Sequence, residues 1–424
     1  MTTFIIIIFI IGYLAIVFEH QIKTNKAASA LLTGVLCWIV YIMMGDNTPI
    51  IIEQLTEHVG ELSGILFFLL AAMTIVELID AHDGFDVITS RITTTKKTQL
   101  LWIIGLITFF LSAILDNLTT AIVMVSLLKK LIDDKEDRLL FIGIVIIAAN
   151  AGGAWSPIGD ITTTMLWIGG QITAGSIIIK LFIPSLACLM VPMFILTFKL
   201  KGNTNRPVIT DSISGNPTTE FERKLVFFLG IGAFVFVPIF KTITHLPPYM
   251  GILFGLAVLW IATELIHNRK DDEKKDTLSV VNALRKIDVP SILFFLGILL
   301  AIASLQSTGV LTGLAHYMND KIGKLNIIVP VIGLLSAIID NVPLVAASMG
   351  MYHISIYPQD SYIWGFLVYC AGTGGSILII GSAAGVAAMG MEKINFIWYL
   401  KNIAWLALLG YIAGILCYIG LEHL

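Results

Sequence analysis

Two acid–amide pairs recur in strongly apolar surroundings, Asp116-Asn117 and Asp340-Asn341, with Thr119 and Thr120 close behind the first. A carboxylate beside a carboxamide supplies hard oxygen ligands. Shielded from water, such a carboxylate can hold a proton or a sodium ion near neutral pH, but not both to advantage. Further along, each pair is followed by a Gly-rich stretch. The first runs Asn150-Ala151-Gly152-Gly153-Ala154-Trp155-Ser156-Pro157-Ile158-Gly159-Asp160 and on to Thr162, Thr163 and Thr164. The second runs Gly372-Thr373-Gly374-Gly375-Ser376 and on to Gly381-Ser382. Glycine permits the backbone angles of an unwound segment, and the carbonyls so freed would join the side-chain oxygens as cation ligands. The candidate ion- and proton-binding set is therefore Asp116, Asn117, Thr119, Thr120, Asn150, Gly152, Ser156, Asp160, Thr162, Asp340, Asn341, Thr373, Ser376 and Ser382. Sodium is expected at Asp116, Asn117, Asp340 and Asn341, and competition between Na⁺ and H⁺ for one carboxylate is the simplest physical route to antiport.

Each of these residues has a plainer reading. Asp116 and Asp340 could cap the helices that come after them, but an ionisable group at membrane depth is costly, and its presence in both places favours function. Asp160 is read as an N-cap as readily as a ligand, and Ser382 takes its place in the second stretch. Glu77 and Asp80 close an apolar span and serve either a proton path or the membrane surface. Lys180 is read as snorkelling and His353 as interfacial. Cys37, Cys188, Cys370 and Cys417 lie in apolar spans without metal-ligand spacing and are read as packing residues.

The elements that must carry these residues are membrane helices. The 424-residue chain is 57% hydrophobic and only 13% charged, and apolar stretches close to the length that crosses about 30 Å of hydrocarbon recur throughout. No soluble catalytic domain fits in what remains, and no enzyme activity, cofactor or nucleic-acid partner is implied. The first stretch, Phe4 to Phe18, lacks the basic flank of a secretory signal and is read as a retained helix.

The chain also repeats itself. Leu111-Ser112-Ala113-Ile114-Leu115-Asp116-Asn117 returns as Leu335-Ser336-Ala337-Ile338-Ile339-Asp340-Asn341, and Ile65-Leu66-Phe67-Phe68-Leu69 as Ile292-Leu293-Phe294-Phe295-Leu296, in the same order and at similar offsets. Residues 1–198 and 225–424 are thus two copies of one unit, joined by a polar linker, 199–224. Charge then decides the topology. If 98–128 and 325–356 enter and return as helical hairpins, leaving ten crossings, 22 Lys and Arg gather on one side and only Lys241, Lys321 and Lys324 on the other. If each stretch crosses once, the same residues divide ten against fifteen. Five crossings per copy force the second copy to be inverted, with both termini outside, the hairpins opening to opposite faces, and broken helices at 139–167 and 362–390.

With these residues in hand, the chain resembles the NhaD-type sodium/proton antiporters of the ion transporter superfamily, which also holds arsenite permeases and dicarboxylate transporters. The resemblance rests on Ser112 to Thr120, Asn150 to Thr164, Ser336 to Pro343 and Gly372 to Gly385. The protein is expected in the cell inner membrane, and the resemblance implies that it is commonly a homodimer. A scaffold and a transport domain with two re-entrant hairpins would exchange cytoplasmic Na⁺ or Li⁺ for external protons. The rivals are an organic-anion or arsenite carrier on the same scaffold, and, more remotely, an intramembrane aspartyl protease, whose Gly-x-Gly-Asp spacing Pro157-Ile158-Gly159-Asp160 lacks.

Overall fold

The computed structural model describes residues 1–89, 92–205, 218–268, 272–338 and 340–422. Arg91, Arg206, Arg269 and Lys270 of the charge count, Ile339 of the repeated word and much of the 199–224 linker lie outside the described residues. Among those described, the chain is all-helical apart from one isolated bridge. Nine helices among the described residues are long and apolar enough to cross a membrane.

The first helices are α1 (Thr2–Val17), α2 (Lys26–Met44) and α3 (Thr48–Ala81). At 34 residues α3 is about 51 Å long, more than a bilayer requires. Next come α4 (Lys97–Leu115), α5 (Asn117–Leu131), α6 (Lys135–Ala154), α7 (Ile161–Ile168) and α8 (Ala174–Lys199). The second half holds α9 (Glu220–Thr244), α10 (Pro248–His267), α11 (Val289–Ser307), α12 (Val310–Ile322), α13 (Leu325–Leu335) and α14 (Asn341–Met351). It ends with α15 (Tyr362–Gly374), α16 (Ala383–Glu392) and α17 (Phe396–Glu422).

These helices pack in two groups. One comprises α1, α2, α3, α9, α10 and α11, and the other α4 to α8 with α13 to α17. The groups meet where α14 lies against α11, α7 against α3, and α9 against α4. Small residues allow the close crossings expected where lipid removes the hydrophobic drive between helices. A methyl group on Gly297 would collide with the Ala30–Leu31 backbone of α2, and one on Gly410 with the Cys188 carbonyl of α8.

The two ends of the α4–α5 pair lie together. The Lys97 amide donates to Gly202 O (3.0 Å), the Asp133 amide, just past α5, donates to Asn205 O (3.0 Å), and Lys97 pairs with Asp137. In the second half, Gly350 near the end of α14 lies against Leu311 and Gln306, at the junction of α11 and α12.

Ionic contacts separate by end. Lys129 and Arg138 meet Glu392, Lys286 meets Glu77, and Arg223 meets Asp86 at one end. At the other, both carboxylate oxygens of Asp360 receive Thr173, through its amide (2.7 Å) and hydroxyl (2.8 Å). Lys180 donates to the Asp360 carbonyl (2.8 Å). Its ammonium therefore has a protein acceptor beyond any snorkelling.

The Gly-rich stretches are less unwound than the sequence leads one to expect. Helix α6 runs on through Asn150, Gly152 and Gly153 to Ala154, and α15 through Gly372 and Thr373 to Gly374. The interruptions proper are 155–160 and 375–382. These early glycines serve close approach instead: a Cβ on Gly152 would strike the Phe109 carbonyl of α4, and one on Gly374 the Gly333 carbonyl of α13.

Candidate ion-binding site

Four half-helices begin at the centre, and their N-caps are Asp116 for α5, Asp160 for α7, Asp340 for α14 and Ser382 for α16. An N-cap side chain accepts from the first free amides of its helix, which the macrodipole makes electropositive. Asp116 accepts from the Thr119 amide (2.8 Å) and hydroxyl (3.0 Å). Asp160 accepts from the Thr162 amide (2.8 Å) and hydroxyl (2.6 Å). Asp340 accepts from the Val342 amide (3.4 Å), and Ser382 Oγ from the Gly385 amide (3.2 Å). Asp116 has φ 86° and ψ 160°, a conformation that costs a non-glycine residue about 1–3 kcal/mol and that active sites retain when their surroundings enforce it.

Asp160 is the hub. Asn117 Nδ2 donates to its Oδ2 at 2.6 Å, and Asn341 Nδ2 approaches both its oxygens at 3.4 and 3.5 Å. Asn117 Nδ2 also reaches Asn150 Oδ1 (3.1 Å), and Asn150 Nδ2 donates to Ser382 Oγ (2.9 Å). The network thus joins both acid–amide pairs and both interruptions, and all its amides are buried. Asp160 is therefore a cap and a hub at once, so its two readings are compatible.

The remaining candidates are spread around this centre. The Thr120 hydroxyl is buried with no hydrogen-bond partner in the structure, and Gly152 packs on α4. Ser156 Oγ accepts from the Ile158 amide (3.4 Å). Thr373 donates to Tyr369 O and Ser376 to Thr373 O, both at 2.6 Å, so their hydroxyl hydrogens are committed to their own helix. Glu77 and Asp80 line a cavity of about 470 Å³ with Lys26, Lys130 and Lys286, and this cavity reaches Thr119 and Ala383 beside the network. His353 lines a separate cavity of about 590 Å³ at the opposite end, with His58, Gln306 and Tyr249.

Sequence reasoning passed over the groups that hold the frame. Ser112 Oγ donates to Ala149 O (2.6 Å) and Ser336 Oγ to Ala371 O (2.7 Å), the same tie in each half. Both serines stand inside the repeated word, so the signal was available. The three-way contact of Lys129 and Arg138 with Glu392 had no sequence signal, because it joins residues more than 250 positions apart.

A multi-helix membrane body whose centre gathers a buried aspartate, Asp160, and two partly buried ones, Asp116 and Asp340, at the starts of helices is that of a membrane transporter. The chain belongs to the family described as citrate transporter (CitMHS), whose model matches residues 13–364. It is 50% identical over 418 residues to sodium/proton antiporter 1 of Arabidopsis thaliana, covering 99% of this chain and 72% of that protein. It is 49% identical over 425 residues to sodium/proton antiporter 2 of the same plant, covering 98% of this chain and 99% of that one. To the Na(+)/H(+) antiporter NhaD of Vibrio cholerae it is 30% identical over 452 residues, covering 99% and 91%. The resemblance to the NhaD-type proteins is thereby borne out.

Proposed function

We propose that this chain exchanges Na⁺ or Li⁺ for protons at the Asp160-centred network. One observation carries this reading: three of the four converging N-caps are carboxylates. Four helix N-termini contribute about +0.5 charge each, roughly +2 together, so three ionised carboxylates leave the centre near −1. A centre of that charge takes up one monovalent cation, or one proton in its place. Sodium and proton then exclude each other, as antiport requires. An anion such as citrate would face a centre of its own sign, so the family description does not fit the site chemistry; the names of the plant and bacterial relatives do.

The ligands are Asp160 with the carboxylates of Asp116 and Asp340, once the Asn117 and Asn341 amides turn their oxygens inward. The cavity at Glu77 and Asp80 is the cytoplasmic approach and a route for protons. Residues 1–198 and 225–424 are inverted copies, with α4–α5 and α13–α14 as re-entrant hairpins. The convergence of both ends of α4–α5 on residues 202–205, and the matching serine ties, support this. The end rich in Lys and Arg faces the cytoplasm, both chain ends lie outside, the membrane is the cell inner membrane, and the protein works as a homodimer.

The test is collapse of a pH gradient in proteoliposomes on addition of Na⁺, Li⁺ or K⁺, beside Asp160→Asn and parallel citrate and arsenite uptake. Collapse with Na⁺ or Li⁺ that Asp160→Asn removes supports the reading. Uptake of citrate or arsenite without a cation response sinks it.

A further inference from the structure

The two interruptions are tied in different ways. In the first, Thr164 Oγ1, a turn inside α7, donates to the Pro157 carbonyl (3.0 Å), so the crossing secures its own break. The corresponding residue after the second break is Val386, four past the cap as Thr164 is four past Asp160, and it has no side-chain donor. There the Tyr399 hydroxyl, from the head of α17, donates to the Ser376 carbonyl (2.7 Å). Tyr399 is buried, and the five residues after it, Leu400–Ala404, form a π-helical turn. A π-turn adds a residue to the helical turn and so rotates the helix on its N-terminal side relative to the helix on its C-terminal side. The head of α17 can thus aim Tyr399 at the break while Gly410 and Gly414 keep their close packing on Cys188 and Pro184 of α8.

Ser376 has its other groups committed, since its amide (3.1 Å) and hydroxyl (2.6 Å) both donate to Thr373 O. Its carbonyl is the group through which the break can be fixed from outside, and six residues later comes Ser382, which receives Asn150. We propose that Tyr399 is a positioning residue for ion exchange: by holding the Ser376 carbonyl it sets the 375–382 break so that Ser382 meets Asn150 and, through it, the Asp160 hub. This rests on the exchange reading of the Asp160 network. Tyr399 acts through the backbone, so its removal should weaken ion binding more than it slows the cycle.

The experiment is initial exchange rate against Na⁺ concentration for the full-length protein in proteoliposomes. Wild type is compared with Tyr399→Phe, Tyr418→Phe, and a protein carrying 3-fluorotyrosine at position 399. Tyr418 is the control: on the same helix α17 its hydroxyl donates to Tyr362 O (2.9 Å), a tyrosine-to-carbonyl tie to α15 at the end away from the break. Tyr399→Phe is expected to raise the KM for Na⁺ about tenfold, equivalent to about 1.4 kcal/mol. The maximal rate should stay within about twofold, the split expected when binding rather than turnover is damaged. Tyr418→Phe should leave KM unchanged. 3-Fluorotyrosine keeps the shape and a stronger donor, so KM should be at or below wild type.

An unchanged KM in Tyr399→Phe, or an equal rise in Tyr418→Phe, overturns the proposal. A raised KM with 3-fluorotyrosine overturns it even if Tyr399→Phe does not fold. A wild-type protein that ignores Na⁺ fails earlier, at the exchange reading itself, whereas a responsive wild type with an indifferent Tyr399→Phe refutes only the role of Tyr399.

Discussion

The two interruptions, 155–160 and 375–382, are alike in backbone and unlike in charge. Each places a glycine over a carbonyl of the preceding acid-bearing helix pair, Gly152 over Phe109 and Gly374 over Gly333, and each ends in a side chain that caps a half-helix. At that shared cap the first has Asp160 and the second Ser382. Asp160 collects both Asn117 and Asn341, while Ser382 takes only Asn150 among the network amides. The two interruptions thus share a backbone geometry, but only the first places a carboxylate at the break itself. Had both caps been acidic, the centre would carry about one more negative charge, beyond what a single Na⁺ neutralises.

The strongest way to break this comparison is at Asp160. Asp160→Asn leaves two amide donors facing an amide, and Na⁺-driven collapse of the pH gradient is expected to fall by about 100-fold or more, since removing one partner from a buried charged network costs roughly 3–5 kcal/mol. Ser382→Ala, which keeps the charge count, should lower the rate only about fivefold, the cost of one hydrogen bond. Equal losses in the two variants would mean that the charge at the first cap matters no more than the hydrogen bond at the second.

Next come Asp116→Asn and Asp340→Asn. Each leaves a capping oxygen but removes a charge, and each is expected to lower exchange about tenfold or more. Flux measured in the same vesicles would sharpen the comparison if one variant proved much worse, since that carboxylate would then carry the proton.

The pH dependence comes from competition. Na⁺ needs the deprotonated carboxylate, so affinity is full at alkaline pH and is lost as pH falls. Where the protonated form dominates, the apparent KM for Na⁺ should rise about tenfold per pH unit for each proton displaced. A KM independent of pH would separate the proton site from the sodium site. The smallest effect is expected at Glu77, at the cavity mouth and 3.4 Å from Lys286. Because the pair is partly exposed, Glu77→Gln should slow exchange only about two- to threefold, and a larger loss, read from the same flux assay, would move Glu77 from the approach into the binding step.

Much of this was legible in the residues. The repeated Leu-Ser-Ala-Ile word located both acid–amide pairs, and the Gly-rich stretches located both interruptions, because a polar residue in an apolar run is too costly to be incidental. The break points themselves were not legible, since glycine serves both unwinding and close packing, and only the facing carbonyls of Phe109 and Gly333 decide between them. Nor was Asp160 distinguishable from an ordinary cap, because capping is a local contact and its partners Asn117 and Asn341 are 43 and 181 residues away.

By itself the sequence determined a membrane body, the recurrence of the Leu-Ser-Ala-Ile word, and which carboxylates stand in apolar surroundings, since these depend on local hydropathy and on comparing the chain with itself. Only the tertiary structure decided which carboxylate is shared, which hydroxyls hold the frame and that Tyr399 reaches across to the second break. Those depend on where helices cross, and crossing is set by packing between residues far apart in the chain.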